Sequence, residues 1–331
     1  MKHIVVAGAG AWGIALAIHA SRTGAAVTLQ ARSPQERLPS GAMPRLPEFP
    51  LPETVKLSDV VPTEADLYLV AVPTQALASF LPHLPQTRVP VVLCCKGVEQ
   101  NTLRLPLQIL GNLRPDLHGM VLSGPNFAHE IAAGLPAATV IAGSDIQVTE
   151  SLTHTLTTDS FRFYGSDDPL GVQLGGAAKN VIAIAAGAAI GAGMGENARA
   201  ALITRGIAEI GRLTAAMGGQ TATLAGLSGI GDLMLTCTGT SSRNFRTGHA
   251  LGQGATLKEA LDIAGGVAEG VYTSSALLTL AHQHHVDAPI VDVVSRLLEG
   301  KISLRDARDL LLRRPARMEN EASGGRKREI F

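Results

Sequence analysis

The sequence predicts an α/β protein, with a doubly wound parallel sheet in the first half and an all-helical second half. Three observations carry this. The apolar run HIVVA (3–7) leads straight into the spaced glycines of Gly8-Ala9-Gly10-Ala11-Trp12-Gly13. Short, almost continuously apolar runs then recur at helix-length intervals as far as residue 164. Beyond Gly165-Ser166-Asp167-Asp168-Pro169 such runs nearly vanish and helical periods take over.

In chain order, strands are predicted at 3–7, 26–30, 67–72, 90–95, 119–122, 137–142 and 160–164. Their unbroken apolarity suits parallel strands covered on both faces, and the helix-length spacing suits repeated βαβ units. Residues 33–52 hold six prolines, which exclude a long helix there. Asp168-Pro169 is a helix-start signal. Helices follow at 169–193, 196–217, 230–237, 243–253, 256–263, 270–285, 289–298 and 303–312. The expected organisation is a dinucleotide-binding domain at 1–165, a helical domain at 166–312 and a flexible charged tail at 313–331.

The 28 Lys+Arg residues balance 28 Asp+Glu, so no strong net field recruits nucleic acid or an acidic membrane, and an anionic ligand needs locally placed cations. The cysteines Cys94, Cys95 and Cys237 form neither a disulfide framework nor a zinc spacing, which fits a reducing cytoplasm. No signal-peptide pattern opens the chain. The uncharged stretch from Val181 to Met194 has fourteen residues, too few to span a bilayer, and reads as a buried helix rather than a membrane insertion. His282, His284 and His285 have no Cys or carboxylate partner at ligand spacing, so no metal site is expected.

Gly8, Gly10 and Gly13 follow a strand and open a helix, the context in which G-x-G-x-x-G binds a dinucleotide. The first glycine permits the tight turn, the second lets backbone approach the pyrophosphate, and the third allows close helix–strand contact. The free N–H groups of the helix start then face the phosphates. An acid that would bond a ribose hydroxyl is expected about twenty residues on, but Gln30-Ala31-Arg32-Ser33 stands there. Arg32 can meet a 2′-phosphate, which favours NADP(H) and leaves NAD(H) open, since an arginine can also lie over the adenine with either cofactor.

Unusual polarity marks the remaining candidates. Lys96 ends an apolar strand on the side where a doubly wound sheet holds its ligand. Gly124-Pro125-Asn126 is a tight turn after another strand. Lys179 and Asn180 interrupt an otherwise apolar helix, where a charge must be paired, snorkelling or functional. A desolvated lysine can lose its proton near neutrality and act as a base. Asp232 and Thr236 share one helix face. Ser242-Arg243-Asn244 opens a helix with a guanidinium beside free N–H groups, a phosphate site. Glu269, in a Gly-bounded turn, is either an acceptor for a cofactor group or an ordinary helix-entry acid.

Taken in order, GAGAWG, CCKG, SGPNFAHE, VQLGGAAKNVIAI, GLSGIGDLMLTCTGTSSRNFRTG and VAEGVYT closely resemble the glycerol-3-phosphate dehydrogenase family of bacterial type, from residue 3 to residue 312. The resemblance implies a Rossmann-like first domain, a helical second domain and an active site between them. It implies reversible reduction of dihydroxyacetone phosphate to sn-glycerol 3-phosphate for glycerophospholipid synthesis. By matching position it makes Lys179 the proton acceptor. Lys96, Gly124, Asn126, Asp232, Ser242, Arg243 and Asn244 become substrate contacts. Trp12, Arg32, Lys96, Ala128, Arg243, Val267 and Glu269 become cofactor contacts. Family analogy and the Ala/Gly-rich helices suggest a homodimer. The chain departs from the family pattern in a shorter, proline-rich segment after Arg32, in Ser33 where a second basic residue is common, and in His129 and Ala11 where lysine and serine are usual.

The expected chemistry has neutral Lys179 taking the proton of the secondary hydroxyl as hydride leaves the same carbon. Burial and Lys96 should lower its pKa while Asp232 opposes and orients the amine. Two alternatives share parts of this pattern: a two-domain dehydrogenase of a hydroxy or sugar acid, which lacks need of the phosphate-type Ser-Arg-Asn loop, and a non-catalytic nucleotide sensor, which lacks need of the Lys179–Asp232 pair.

Overall fold

The computed structural model describes residues 1–33 and 36–314, so the expected tail lies, from residue 315 on, outside the described residues. The described residues form ten strands: β1 (His3–Ala7), β2 (Ala26–Gln30), β3 (Ala42–Met43), β4 (Leu46–Pro50), β5 (Val55–Ser58), β6 (Leu67–Val70), β7 (Pro90–Leu93), β8 (His118–Ser123), β9 (Ala137–Ala142) and β10 (Phe161–Ser166). Eight of them form one sheet in the order β10-β9-β8-β7-β6-β1-β2-β5, and β3 and β4 make a separate hairpin. The order reverses at β1, which pairs with β2 on one side and β6 on the other, both parallel. The crevice at the carboxyl ends of β1 and β6 is therefore the topological switch point where doubly wound sheets bind ligands.

The all-parallel expectation fails at one pairing. β9 runs antiparallel to β8, with Ser123 opposite Val140, and β10 continues parallel to β9. The connection explains it. Helix α4 between them (Ala128–Ala133) has six residues, a rise of about 9 Å, against about 20 Å for a six-residue strand. It cannot carry the chain back to the far end of the sheet, so the next strand returns beside its neighbour.

The described residues of the proline-rich segment contain no long helix, as expected, yet they yield the unexpected hairpin β3–β4, and the edge strand β5 follows just after it. Prolines supply no amide donor. Arg37 ties several carbonyls of this stretch together, donating to Pro52 O (3.1 Å), Val55 O (2.8 Å) and Leu51 O. The sheet is flanked by α1 (Ala11–Arg22), α2 (Thr74–Phe80), α3 (Pro106–Leu113), α4 and α5 (Ile146–Leu156).

The second half comprises α6 (Pro169–Gly191), α7 (Glu196–Ala216), α8 (Asp232–Thr238), α9 (Arg243–Gly252), α10 (Leu257–Ala264), α11 (Glu269–Gln283), α12 (Pro289–Leu298) and α13 (Leu304–Leu312). Asp168 caps α6, its Oδ1 accepting from Gly171 N at 2.9 Å. At 23 residues α6 is long and apolar enough to cross a bilayer by length and composition, beyond the fourteen-residue stretch considered above, but 78% of its most apolar window is buried in the fold. An all-round apolar helix of this kind is a core helix.

Small residues let α6 and α9 touch backbone to backbone. A Cβ at Gly187 would fall 2.1 Å from Phe245 O, and one at Gly248 would fall 2.0 Å from Ile184 O. The Ala/Gly richness that suggested a homodimer is thus committed inside the fold. The two halves also share cores: Val98 and Leu105 pack with the helical cluster, and Val172 of α6 packs with the sheet. Gln173 Oε1 accepts from Leu107 N at 2.9 Å across the same boundary. This junction seats the first turns of α6 against β8 and the start of α3.

Candidate active site

The crevice begins at the glycine turn. A Cβ on Gly8 would lie 2.9 Å from Ala71 O, and one on Gly13 would lie 1.8 Å from Gly8 O, so both positions are closed to any side chain. Around Gly10, by contrast, no atom lies within 4 Å of where a Cβ would be. Gly10 caps α1 without a side-chain bond, leaving first-turn N–H groups free. The buried Trp12 indole N–H, one residue into the helix, has no partner among the described residues. This open, donor-lined cradle fits a pyrophosphate. Arg32 follows β2 as an exposed side chain, and Ala128 opens α4 half-buried beside the sheet core.

Across the crevice, three charged side chains from three elements converge. Lys179 Nζ donates to Asp232 Oδ1 (2.5 Å) and to Thr236 Oγ1 (3.0 Å). Lys96 Nζ, just past β7, donates to Asp232 Oδ2 (2.7 Å) and to Gly124 O (2.8 Å). Asp232 is fully buried, while the lysine side chains retain 14% (Lys96) and 11% (Lys179) exposure. A π-helical turn, Leu227–Gly231, delivers Asp232 at the start of α8, and such turns recur at functional sites. Two cations on one carboxylate leave a net positive centre with restricted access to water, a setting for an anionic ligand.

Burial pushes the Lys179 ammonium down from 10.5 to about 8; the charge of Asp232 opposes this and that of Lys96 assists it. The expectation that desolvation prevails therefore agrees with the geometry. Thr236, noted in the sequence only for sharing a face with Asp232, also donates to Asp232 O at 2.6 Å and so braces both members of the pair.

Glu269, at the first position of α11, reaches the sheet half. Its carboxylate accepts from Thr74 Oγ1 at 3.4 Å, and a Cβ on Gly97 would sit 2.9 Å from its Oε2. Burial pushes its carboxyl up to about 7, against the hydrogen bonds of Thr74 and the charge of Arg243. Thr74 starts α2 directly after β6, so Glu269 stands beside the switch point.

The Ser-Arg-Asn loop divides its labour. Ser242 Oγ caps α9, accepting from Phe245 N at 3.2 Å. Arg243 is exposed and donates to Val267 O at 3.3 Å, linking two expected cofactor contacts at the rim. Asn244 is buried, its Nδ2 donating to Asn180 Oδ1 (2.8 Å) and its Oδ1 accepting from Gly270 N (3.0 Å). That side chain braces α6 against the start of α11, a commitment that competes with the substrate contact expected of it. Asn126, after β8, donates through Nδ2 to Thr139 Oγ1 at 2.8 Å. Sequence reasoning missed Thr74 and Thr139, ordinary threonines in their local context.

Comparison with known proteins identifies the family. Two family models match, NAD-dependent glycerol-3-phosphate dehydrogenase N-terminus over residues 3–149 and C-terminus over residues 168–309. Glycerol-3-phosphate dehydrogenase [NAD(P)+] of Gluconobacter oxydans is 52% identical over 320 residues, covering 96% of this chain and 98% of that protein. The enzyme of the same name from Acidiphilium cryptum is 49% identical over 317 residues, covering 95% and 97%. Among solved structures, glycerol-3-phosphate dehydrogenase from Coxiella burnetii superposes with a TM-score of 0.87 at 36% identity, covering 95% of this chain and 99% of that one. A ketopantoate reductase from Ralstonia eutropha reaches only 0.58 at 17% identity over 93% and 100%, a likeness of fold alone. With both halves matched and close relatives spanning nearly its whole length, this chain belongs to the NAD-dependent glycerol-3-phosphate dehydrogenase family.

Proposed function

We propose that the protein is a cytoplasmic glycerol-3-phosphate dehydrogenase, reversibly reducing dihydroxyacetone phosphate to sn-glycerol 3-phosphate for glycerophospholipid synthesis, with NADP(H) preferred over NAD(H). Residues 1–165 supply most of the cofactor site, and residues 166–312 carry the base and complete that site from the helical side. The Gly8–Gly13 turn, Trp12, Arg32, Ala128, Val267 and Glu269 would hold the dinucleotide, whose nicotinamide supplies the hydride acceptor or donor when bound. Arg32, beside the place where a carboxylate would select the ribose hydroxyl, supports the NADP(H) preference.

The observation that carries the reading is the way Lys179 is held. A neutral amine has two N–H donors and one lone pair. Asp232 Oδ1 and Thr236 Oγ1 both lie within hydrogen-bond reach and can take those two donors. The lone pair is then left for the proton of a substrate hydroxyl. In the reverse direction the third N–H of the ammonium is aimed at the carbonyl oxygen. With a pKa of about 8, both forms are populated near neutrality. Asp232 holds the amine, and Lys96 adds positive charge toward the phosphorylated substrate. Arg243, with the free N–H groups of the α9 start, takes the phosphate.

Initial rates on dihydroxyacetone phosphate, with NADPH and NADH side by side, test this directly. Consumption of reduced cofactor, faster with NADPH, is the expected result. No consumption with either cofactor would remove the function; a preference for NADH would remove only the role of Arg32. The hydroxy-acid alternative has no more than shared fold behind it, and a catalytically silent sensor would have no use for a lysine held in this way.

A further inference from the structure

The antiparallel return of β9 brings Thr139, near its start, beside the turn that follows β8. Thr139 is fully buried. Its Oγ1 donates to Ser123 O at 3.1 Å and accepts from Asn126 Nδ2 at 2.8 Å. A hydroxyl has one proton, and here it is committed to Ser123. Thr139 can therefore only accept from Asn126, which fixes the carboxamide with its NH2 group toward Thr139 and its Oδ1 away. The absence of a side chain at Gly124 lets the turn come this close: an added Cβ there would lie 2.9 Å from Thr139 Oγ1.

Asn126 Oδ1, held in this way, is buried and has no partner among the described residues. An acceptor left so is costly unless a ligand donates to it. The same turn supplies Gly124 O to Lys96 Nζ, so it borders the two-lysine centre. We infer that Thr139 is a positioning residue that locks Asn126 with its carbonyl oxygen as an acceptor in the site, so that this turn reads a hydroxyl donor on the substrate. The inference rests on the function proposed above and deepens it. Of the polar groups of dihydroxyacetone phosphate, the carbonyl and phosphate oxygens serve as acceptors for Lys179 and Arg243. The free primary hydroxyl is the group able to donate to Oδ1.

The test compares kcat/KM with NADPH for dihydroxyacetone phosphate and for acetol phosphate, in which hydrogen replaces that hydroxyl. A site built to bond a hydroxyl rejects the analogue lacking it by about a hundredfold or more. Thr139→Val keeps the shape and removes the hydroxyl, freeing the carboxamide to turn. It should lose roughly thirtyfold of the preference, nearly all of it on dihydroxyacetone phosphate, while Thr139→Ser retains the preference. Thr139→Ala, also lacking the hydroxyl, replaces the valine variant if thermal melting shows that one to be misfolded. Equal losses on both substrates, or an unchanged ratio, would overturn the inference and leave the proposed function standing. Wild-type enzyme that reduces neither compound would remove both.

Discussion

The glycine turn of the sheet and the lysine centre of the helical half face the same crevice, yet they are made of different material. The turn is mainly backbone: six contiguous residues, three of them glycines, that leave an open, donor-lined cradle. The centre is charge: Lys96, Lys179 and Asp232 come from three elements, with the carboxylate 136 residues from one lysine and 53 from the other. A backbone site depends on space and tolerates no added atom at its closed positions. A charged site depends on how well each group compensates its neighbour, and its chemistry changes when any one is neutralised. The comparison predicts that damage to the turn weakens cofactor binding, whereas damage to the centre stops turnover with the cofactor still bound.

The largest expected effect is on the centre. Lys179→Ala should lower kcat by about a hundredfold or more, with cofactor affinity, read by fluorescence titration, unchanged. A fully active variant would break the comparison at its strongest point. In the intact enzyme the oxidative rate should rise as pH increases through about 8, because deprotonation supplies the base, and the reductive rate should fall through the same region, because the ammonium is the acid. A flat profile across that interval would remove Lys179 as the titrating group.

Arg243→Ala comes next. It removes charge-assisted hydrogen bonds of about 1.5–3 kcal/mol, so the KM for dihydroxyacetone phosphate should rise by about tenfold to a hundredfold. Unchanged kinetics would take the guanidinium out of the site. Gly13→Ala tests the backbone side. Its Cβ would meet Gly8 O at 1.8 Å, and overpacking of this kind costs about 1–3 kcal/mol. Loss of cofactor affinity with a lowered Tm, and a kcat near wild type at saturating cofactor, would sharpen the contrast with Lys179→Ala. Smallest of all, Arg32→Ala should reduce the preference for NADPH over NADH by about tenfold or less, measured as the ratio of kcat/KM for the two cofactors.

Legibility followed the same division. The turn could be read because its residues are neighbours in sequence, and the helical half because strand signals nearly vanish after the helix-start Asp168-Pro169. Lys179 stood out because an ammonium in a helix of alanines and isoleucines contradicts its surroundings. Arg32 was visible only by what it replaced. Thr74 and Thr139 carried no such signal, since a threonine in a strand or at a helix start is unremarkable until its hydroxyl is seen to have a partner. The short hairpin was hidden by prolines, which exclude helix without declaring strand, and the edge strand β5 by its four-residue length and mixed polarity.

The sequence by itself determined the composition of the parts: a phosphate-binding turn after a strand, a basic residue where an acid would select ribose, and one lysine too costly to bury without a purpose. These follow from local rules, where each residue's preference is decided by its immediate neighbours. The tertiary structure alone decided what those parts do to one another. A helix too short to cross the sheet turned β9 back on β8 and set Thr139 against Asn126. The packing of α6, α8 and the end of β7 placed two ammonium groups on one carboxylate and brought Lys179 toward neutrality. Proton affinity and amide orientation depend on distance and burial, and distances between residues far apart in the chain exist only once it has folded.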